Sequence, residues 1–346
     1  MSKKTPRKRE KVVPKLRRPP KDPGLFLLRT LLAAFPQYVS GTYLAQGMKM
    51  SRVGVWNRVN NLRMQGLGID AARNRGYRLT KEPALLNQSL LEAHMDAEQP
   101  NCRCVVLQSV DSTNSEAERL LNANRKTPFA VFANQQEKGR GRLGRTWHSP
   151  ATGNLYLSVA FRPKLPASDL PLTSLWFGLK ICHFLRDASG LDVQVKWPND
   201  LLIQKRKMGG MLAEAKIDVD CIQGLVVGIG LNVNSKQKHF PKSLTGKASS
   251  FAESAGHALP LHELASGLVR CLIMAYEEYL EGLDFKALQK AWKEVDALQG
   301  QAVQVQTGKE LLRGIARGID QTGSLVIRLG NGKLRKLRSA DVTLST

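Results

Sequence analysis

The spacing of apolar residues predicts three short helices and a hairpin in the first eighty residues. Leu25–Phe35 is an apolar run that ends before a proline, and Ser40 and Ser51 each precede a helical pattern and can cap it. The last helix has a buried face at intervals of four and three residues: Val55, Val59 and Leu62. Two short β runs around a turn complete the pattern: Ile69–Ala71 and Gly76–Leu79.

This order of helix, turn, capped helix and hairpin predicts a winged helix-turn-helix over residues 24–80, with the motif itself at about Gly41 to Asn60. In such a domain the second helix of the motif enters the major groove of DNA, where Arg and Asn match guanine and adenine edges. The residues predicted to face DNA lie on the exposed face of that helix and at the hairpin tip: Arg52, Trp56, Asn57, Asn60, Arg63, Arg73 and Arg75.

Beyond residue 100 the pattern alternates between β-like and helical runs, which predicts an α+β domain with one mixed sheet over residues 101–295. Its strands are predicted at Val105–Leu107, Ala130–Ala133, Leu155–Phe161, Val193–Val195 and Gly224–Val227. Its helices are predicted at Ser115–Leu121, Leu172–Ala188 and Leu261–Leu280. Residues 81–100 are expected to connect the two domains.

The pattern changes again over residues 296–346, where short strands are separated by glycine turns. The strands are predicted at Val303 to Val305, Leu311–Ile319, Ser324–Leu329 and Lys333–Leu337. This arrangement predicts a small C-terminal β-barrel, so that the chain as a whole is an α+β protein of several domains.

The charge is distributed unevenly and adds a partner to this picture. The chain has 346 residues and a formal net charge of +23, and residues 1–80 hold 18 Lys/Arg against three Asp/Glu. A surplus of 15 in that part favours a polyanion partner, most simply DNA. The tail of residues 1–23 is expected to be disordered, and it can either add DNA affinity or only solubilise the chain.

Cysteine usage and hydropathy bear on the compartment. The five cysteines are scattered and form no CxxC pair, so neither a zinc site nor a disulfide framework is indicated, and a cytoplasmic protein is expected. The apolar run at Leu25–Phe35 is interrupted by Arg29 and is too short to span a bilayer, so no membrane association is expected.

A loop of unusual composition, Gly139–Arg145 (GRGRLGR), offers candidate chemistry. Glycine lets the backbone approach a ligand closely, and arginine provides a planar fork of donors for phosphate or carboxylate. By itself the loop fits a solvated basic segment, a nucleic-acid contact or a lid over a small anion.

Four further motifs place polar groups at strand ends of the same domain. They are DSTN at residues 111–114, KWPND at 196–200, RKMGGML at 206–212 and GIGLNVN at 228–234. The sequence lacks a P-loop, a dinucleotide-binding fingerprint, a nucleophile elbow, a zinc set and a catalytic triad. The remaining donors and cations suit a site that stabilises negative charge developing on phosphorus.

Taken together, GRGRLGRTW, KWPND, RKMGGML and GIGLNVN closely resemble the motifs of bacterial biotin protein ligases that also act as the biotin operon repressor. The resemblance extends from the helix-turn-helix through the C-terminal barrel. It implies a winged helix, a central class II synthetase-like α/β domain and an SH3-like barrel. It also implies formation of biotinyl-5′-adenylate from biotin and ATP with Mg²⁺, transfer of biotin to a lysine of the biotin carboxyl carrier protein of acetyl-CoA carboxylase, operator binding, and a homodimer promoted by ligand.

The resemblance also assigns roles to individual residues. Residues implied to bind biotin are Ser112, Thr113, Asn114, Gln136, Arg140, Gly141, Arg142 and Lys207. Residues implied to lie at the nucleotide or adenylate are Gly139, Arg142, Arg145, Trp147, Asn199 and Asn232. The catalytic roles fall to Lys207 on the carboxyl and phosphate oxygens, Arg142 retaining the adenylate, and Asp200 orienting the acceptor lysine.

Two rival functions fit parts of the same pattern. One is a regulator that senses a biotin-like ligand without significant ligase turnover, and the other is a lipoate or octanoate transferase on the related fold. The intact Arg142, Asp200 and Lys207 disfavour the first, and the Arg-Gly loop with KWPND disfavours the second. His148 departs from the family pattern, which has an aromatic hydrocarbon ring at that position.

Overall fold

The computed structural model describes residues 22–95, 102–308 and 310–344. The chain forms two compact units, Met1–Pro100 and Asn101–Thr346. The basic tail expected over residues 1–23 lies outside the described residues except for its last two positions.

The described residues of the first unit, 22–95, form four helices and one hairpin. They are α1 (Pro23–Ala34), α2 (Gly41–Gly47), α3 (Arg52–Met64), β1 (Gly68–Ala72), β2 (Gly76–Lys81) and α4 (Gln88–His94). The two predicted serine caps are confirmed, since Ser40 Oγ accepts from Tyr43 N and Ser51 Oγ from Gly54 N, both at 3.1 Å.

The hairpin is fixed against the turn before α2. Val39 and Tyr77 exchange two backbone hydrogen bonds, of 2.7 and 2.9 Å. Gly76 makes this approach possible, because its φ is +104° and a Cβ there would lie 1.9 Å from the Val39 carbonyl oxygen. The first unit is therefore a winged helix-turn-helix, with the hairpin as its wing.

The stretch of residues 81–100, expected to be a connector, contains helix α4. Leu90 and Leu91 of this helix are fully buried, and α4 packs on α1. Arg29 on α1 also donates to the Met95 carbonyl oxygen at 2.8 Å. At least part of the expected connector is thus part of the N-terminal core.

The second unit is built on an eight-stranded mixed sheet. Its strands are β3 (Arg103–Val110), β4 (Phe129–Gln136), β5 (Leu155–Phe161), β6 (Leu165–Pro166), β7 (Val193–Lys196), β8 (Asp200–Ile203), β9 (Arg206–Asp218) and β10 (Cys221–Leu231). The order is β3-β4-β5-β10-β9-β8-β7, with β6 paired to β10. Only β3 and β4 pair in parallel among these strands.

Five helices accompany the sheet. They are α5 (Thr113–Asn122), α6 (Leu170–Ser189), α7 (Phe251–Ala255), α8 (Leu261–Glu281) and α9 (Phe285–Val295). Strand β5 is buried at all seven positions, and its side chains alternate between the two faces of the sheet. Phe161 stacks on aromatic rings of α6 and α8, whereas Ala160 packs in a cluster with α5. Helix α5 therefore covers the face opposite α6 and α8.

The C-terminal part is a five-stranded antiparallel sheet, as expected for a small SH3-like domain. Its strands are β11 (Ala302–Thr307), β12 (Glu310–Ile319), β13 (Leu325–Leu329), β14 (Leu334–Leu337) and β15 (Asp341–Leu344), in the order β14-β13-β12-β11-β15. It is attached to the large sheet by the buried Trp197, whose Nε1 donates to the Gly323 carbonyl oxygen at 3.0 Å. The predicted α+β architecture of three domains is confirmed.

Candidate functional site

The second unit contains a cavity of about 570 Å³ between the start of α5, the glycine-arginine loop, the ends of the central strands and residues 340–342 of the small domain. Almost every residue proposed for biotin or nucleotide lines it: Ser112, Thr113, Asn114, Gln136, Arg140, Gly141, Arg142, Arg145, Trp147, Asn199, Asp200, Lys207 and Asn232. Gly139 is buried behind the lining, where a Cβ would lie 2.4 Å from the Trp147 carbonyl oxygen.

The floor of the cavity is bare backbone. Strands β9 and β10 place Gly210 opposite Gly230, and Gly228 opposite Leu212. A Cβ on Gly228 would lie 2.0 Å from Asn114 Oδ1, and one on Gly230 would lie 2.5 Å from Trp147 Nε1. Glycine at these positions therefore lets an amide and an indole lie directly on the sheet.

A network of hydroxyl and amide groups, joined to one carboxylate, forms one end of the cavity. Ser158 Oγ donates to Asn114 Oδ1 at 2.6 Å and is 2.8 Å from Thr113 Oγ1. Gln136 Oε1 accepts from the backbone N of Thr113 at 2.9 Å and from its hydroxyl at 3.1 Å. Asn114 Nδ2 in turn donates to Glu214 Oε2 at 2.7 Å. These contacts fix the orientation of donors and acceptors that can recognise a planar polar ligand.

The start of α5 is also held from outside the cavity. Arg119 donates to both carboxylate oxygens of Asp111, at 2.8 and 2.9 Å. The hydrogen bond from Arg119 lowers the pKa of Asp111 to about 2. The Asp111 backbone carbonyl accepts from Lys138 N at 2.8 Å, so the same residue anchors the segment that leads into the glycine-arginine loop.

We call residues 139–147 the lid. Its two ends pair through Trp147 N to Gly139 O at 2.8 Å and Gly141 N to Arg145 O at 2.7 Å. At its tip Leu143 and Gly144 have φ of 56° and 70°, and the Leu143 side chain is 71% exposed. The lid is a tight turn that carries arginines over the cavity, with an apolar tip that contacts little else.

Three of the cations around the cavity are paired with carboxylates. Arg145 Nη2 lies 2.5 Å from Asp341 Oδ2, and Lys207 Nζ lies 2.6 Å from Asp200 Oδ1. Arg140 forms a third pair, with Glu214 on β9. The hydrogen bond from Arg145 lowers the pKa of Asp341, so this carboxylate is ionised at neutral pH.

Arg142 differs from the other cations of the lid. Its NH2 donates to Ser339 Oγ at 3.2 Å, and burial lowers its pKa although a guanidinium stays charged in proteins. Trp147 Nε1 is likewise buried, and within the described part of the chain it has no hydrogen-bond partner. Both groups are available to an anionic or hydrogen-bond-accepting ligand.

Two of the residues predicted to lie at the nucleotide use their side chains in hydrogen bonds to the backbone. Asn199 Nδ2 donates to the Met211 carbonyl oxygen at 2.5 Å, and the buried Asn232 donates to the Ser249 carbonyl oxygen at 3.0 Å. They hold the loops that form the wall, and the backbone of Lys207 joins that wall through a 2.8 Å bond to Lys247 O. His148 is exposed, and its Nε2 lies 3.1 Å from His239 O.

Sequence reasoning missed several residues of the site: Ser158, Glu214, Ser339 and Asp341. Glu214 lies on the same face of β9 as Gly210 and Leu212, at spacing two, and that alternation was a usable signal. No local signal marks Asp341, because its partner Arg145 is 196 residues away in sequence.

In the first unit, the exposed face of α3 carries only part of the predicted set. Arg52, Trp56 and Asn57 are exposed, but Asn60 and Arg63 are half-buried. Arg63 donates to the Ile69 carbonyl oxygen at 2.9 and 2.6 Å and to Asn60 Oδ1 at 3.1 Å. These two side chains therefore join the helix to the wing, which corrects the expectation that both face solvent.

The wing carries exposed Arg73 and Arg75 as predicted. The Arg75 guanidinium lies 4.2 Å from the centre of the Tyr38 ring, and that of Arg78 lies 4.7 Å from it. Arg78 also pairs with Asp70 at 2.7 Å. Tyr38 and Arg78 were not predicted, and they give the wing a preformed cluster of guanidinium groups.

A winged-helix unit together with a domain whose cavity gathers cations over a glycine floor defines an enzyme that also carries a DNA-binding module. Family models match the chain in three places: the HTH domain at residues 25–78, the biotin/lipoate A/B protein ligase family at 106–232, and the biotin protein ligase C-terminal domain at 299–345.

Similar proteins agree with these matches. The bifunctional ligase/repressor BirA of Escherichia coli is 32% identical over 311 residues, which cover 89% of this chain and 93% of that protein. BirA of Bacillus subtilis is 29% identical over 92% of this chain and 97% of that protein. A solved structure, the biotin protein ligase from Aquifex aeolicus in complex with biotin and ATP, is 28% identical with a TM-score of 0.59, over 70% of this chain and 99% of that one. The chain belongs to the biotin protein ligase family, as an enzyme of the bifunctional ligase/repressor type.

Among the described residues, no helix combines the length and the apolar character needed to cross a membrane. No group of three or more His, Cys, Asp or Glu side chains in the same residues is arranged to hold a metal ion.

Proposed function

We propose that the second unit activates biotin with ATP and then joins it to a lysine of the biotin carboxyl carrier protein. The observation that carries this proposal is the ligand-sized cavity in which a fixed amide network faces a group of paired cations. Biotin has the same polarity, because its ureido ring is neutral and polar while its valeryl chain ends in a carboxylate.

Biotin would bind with its ureido ring at the neutral end of the cavity, where the hydroxyl and amide groups are already oriented. These groups are Ser112, Thr113, Asn114 and Gln136. The glycines of β10 let the Asn114 amide and the Trp147 indole lie directly on the sheet, and the rings of the ligand would pack against these two side chains.

In the first step, a carboxylate oxygen of biotin attacks the α-phosphorus of ATP, the bond between the α-phosphorus and the bridging oxygen breaks, and pyrophosphate leaves. Lys207 and Arg142 would neutralise the charge that develops on the carboxylate and phosphate oxygens. The lid, including Arg140, Gly141 and Arg145, would then close over the biotinyl-adenylate and keep water away from the mixed anhydride. Asn199 and Asn232 would hold the nucleotide side of the wall.

In the second step, the acceptor lysine amine attacks the acyl carbon, an amide forms, and AMP leaves with both electrons of the broken C–O bond. The lysine ammonium must first lose one proton to solvent, and the second proton, released as the amide forms, goes to the departing AMP or to solvent. Asp200 is the carboxylate suited to orient that amine, because its present partner Lys207 would be drawn to the phosphate.

Magnesium would enter with the triphosphate. The two carboxylates that line the cavity, Asp200 and Asp341, already contact Lys207 and Arg145, which leaves phosphate oxygens as the main ligands for the ion. Mg²⁺ supplies neutralisation of the departing pyrophosphate.

The first unit would bind operator DNA and repress biotin synthesis genes, with Arg52, Trp56 and Asn57 in the major groove and the wing on the backbone. A ligand-promoted homodimer would present two such units to a two-fold operator. The edge strand β3, which among the described strands pairs only with β4, is a suitable dimer contact. The five cysteines form no disulfide in the described part of the chain, which is consistent with work in the cytoplasm.

A labelling assay tests the enzyme. The protein is incubated with labelled biotin, Mg·ATP and a biotin carboxyl carrier domain, and label on the carrier lysine is the expected result. An unlabelled carrier would contradict the ligase proposal and favour a biotin-sensing regulator. Preferential transfer of lipoate or octanoate in a parallel reaction would show that the substrate is not biotin.

Footprinting tests the repressor. We expect protection of a two-fold DNA site that strengthens with biotin and ATP. A protein that protects no DNA under any ligand condition would have ligase activity alone.

A further inference from the structure

The exposed face of α3 carries apolar side chains where a solvated helix would carry polar ones. Val53 is 66% exposed and Trp56 is 52% exposed, and they lie three residues apart in the first two turns. The opposite face of α3 packs in the core through Val55, Val59 and Leu62, which are 0%, 0% and 7% exposed. Val53 and Trp56 therefore do not contribute to the core. An exposed apolar pair with polar groups around it marks a contact surface.

The surroundings of this pair select a polyanion as the partner. Helix α3 contains three arginines and no acidic residue. Arg52 and Arg58 are exposed beside the pair, and the wing adds Arg73 and Arg75. An apolar contact inside a uniformly cationic surface is complementary to the major groove of DNA, whose phosphates flank base edges.

In the major groove only one of the four bases presents an apolar group, the C5-methyl of thymine. Asparagine matches adenine through its N6 and N7 positions, and Asn57 is exposed next to Trp56. Two of the polar residues predicted on the helix are held within the fold, since Arg63 donates to the Ile69 carbonyl oxygen and to Asn60 Oδ1.

We propose that α3 recognises thymine–adenine pairs in each half-site, with Val53 and Trp56 in contact with thymine C5-methyl groups and Asn57 on a neighbouring adenine. This inference rests on the proposed DNA binding and specifies what that binding reads. The exposed arginines of α3 and the wing, which are Arg52, Arg58, Arg73 and Arg75, would contact phosphates, so sequence preference depends on methyl groups more than on charge.

The test removes the methyl groups and nothing else. Duplexes are selected from a random library with the full-length protein, biotin and Mg·ATP, and thymidine is then replaced by deoxyuridine one position at a time in the best duplex. At one or more positions per half-site we expect affinity to fall about fourfold for each methyl group lost. Duplexes without enriched thymines, or affinities unchanged at every position, would overturn the thymine contact while leaving DNA binding intact.

Variants assign the effect to the two side chains. Val53→Ala and Trp56→Ala should weaken binding to the thymidine duplex and abolish its difference from the deoxyuridine duplex, whereas Trp56→Phe should retain the difference. Met64→Ala is the matched control, because Met64 is 79% exposed but lies at the far end of the helix. A difference that persists in both alanine variants would overturn the assignment.

Two further readouts separate this inference from neighbouring ones. Far-UV circular dichroism and the melting temperature show whether each variant folds. Failure to enrich any duplex would overturn the DNA-binding proposal itself. A Trp56→Ala variant that changes the oligomeric state in light scattering, while its discrimination of deoxyuridine is unchanged, would show that the apolar pair contacts a second protein copy.

Discussion

The cavity of the second unit and the exposed face of α3 are both rich in cations and amides, but they hold these groups in opposite ways. Around the cavity, Arg140, Arg145 and Lys207 each contact a carboxylate. On α3 there is no carboxylate at all, and Arg52 and Arg58 extend into solvent.

The difference follows from what each surface must recognise. A site for one small anion gains selectivity if its cations are neutralised until the correct ligand replaces their carboxylate partners, because stray anions cannot offer enough contacts to do so. A site for a polyanion gains affinity and association rate from exposed charge, which attracts at long range and is screened by salt. The wing lies between these cases, since Arg78 pairs with Asp70 while Arg75 stacks on Tyr38.

The largest expected effect is on the rate of adenylate formation, and it comes from removing Lys207. Lys207→Ala should lower the single-turnover rate of biotinyl-adenylate formation about a thousandfold, because one preorganised charge on the reacting oxygens is lost. The rate is measured by rapid quench with labelled ATP. Lys205→Ala is the control, since Lys205 is an exposed lysine in the turn that precedes β9. A wild-type rate in Lys207→Ala would refute its catalytic assignment.

The next largest effect is that of salt, which should weaken DNA binding much more than adenylate formation. If four phosphates are contacted, raising monovalent salt from about 50 to about 200 mM should weaken DNA binding about a hundredfold. Adenylate formation should change only about twofold over the same range, because its cations are already paired and partly shielded. Equal salt slopes in a binding titration and a rate assay would remove the contrast between the surfaces.

A methyl group on the cavity floor should produce a smaller loss. Gly228→Ala would force Asn114 away from its present position, since the added Cβ would lie 2.0 Å from Asn114 Oδ1. We expect about thirtyfold weaker biotin binding by calorimetry, from overpacking worth about 2 kcal/mol. Gly224→Ala is the control on the same strand, where the nearest atom would be 3.5 Å from the new Cβ. Equal losses in the two variants would contradict a specific role for the floor.

The smallest effect concerns the pair between the lid and the small domain. Asp341→Asn should free Arg145 for the nucleotide and lower the KM for ATP by up to about fivefold, because the exposed pair is worth at most about 1 kcal/mol. The pKa of Asp341 is lowered by Arg145, so the pair is intact at neutral pH and is lost as pH falls below the ordinary aspartate range.

Steady-state kinetics measure this change. Glu310→Gln, which removes the partner of Arg335 elsewhere on the same small sheet, is the control. A higher KM for ATP in Asp341→Asn would mean that the pair orders the lid for binding.

Much of the architecture follows from local sequence. Leu155–Phe161 was predicted as a strand, and the structure shows a strand there with all seven residues buried, because short apolar runs of this length favour a buried strand. Helix α4 was missed because its pattern is short and gains its burial only from α1.

The functional site likewise has parts that follow from local sequence and parts that do not. The motifs indicated which loops converge, since glycine and polar residues at strand ends are local signals. The groups that orient the site residues could not be predicted from the sequence. Ser158, which donates to Asn114, is a single hydroxyl within an apolar strand. In the first unit, Arg63 matched the exposed face of a helical wheel, although it donates to the Ile69 carbonyl oxygen. Pairing over long sequence separations depends on the tertiary structure and leaves no local pattern.

The contact between the lid and the small domain also has a consequence for biosynthesis. Arg145 is translated 196 residues before Asp341, and Trp197 is translated 126 residues before its carbonyl partner Gly323. While the ribosome is still making the small domain, every strand of the large sheet has been made, but Arg145 of the lid has no carboxylate to contact and the Trp197 indole has no acceptor. The nascent enzyme therefore completes its cavity only after the strands of the small domain have been made.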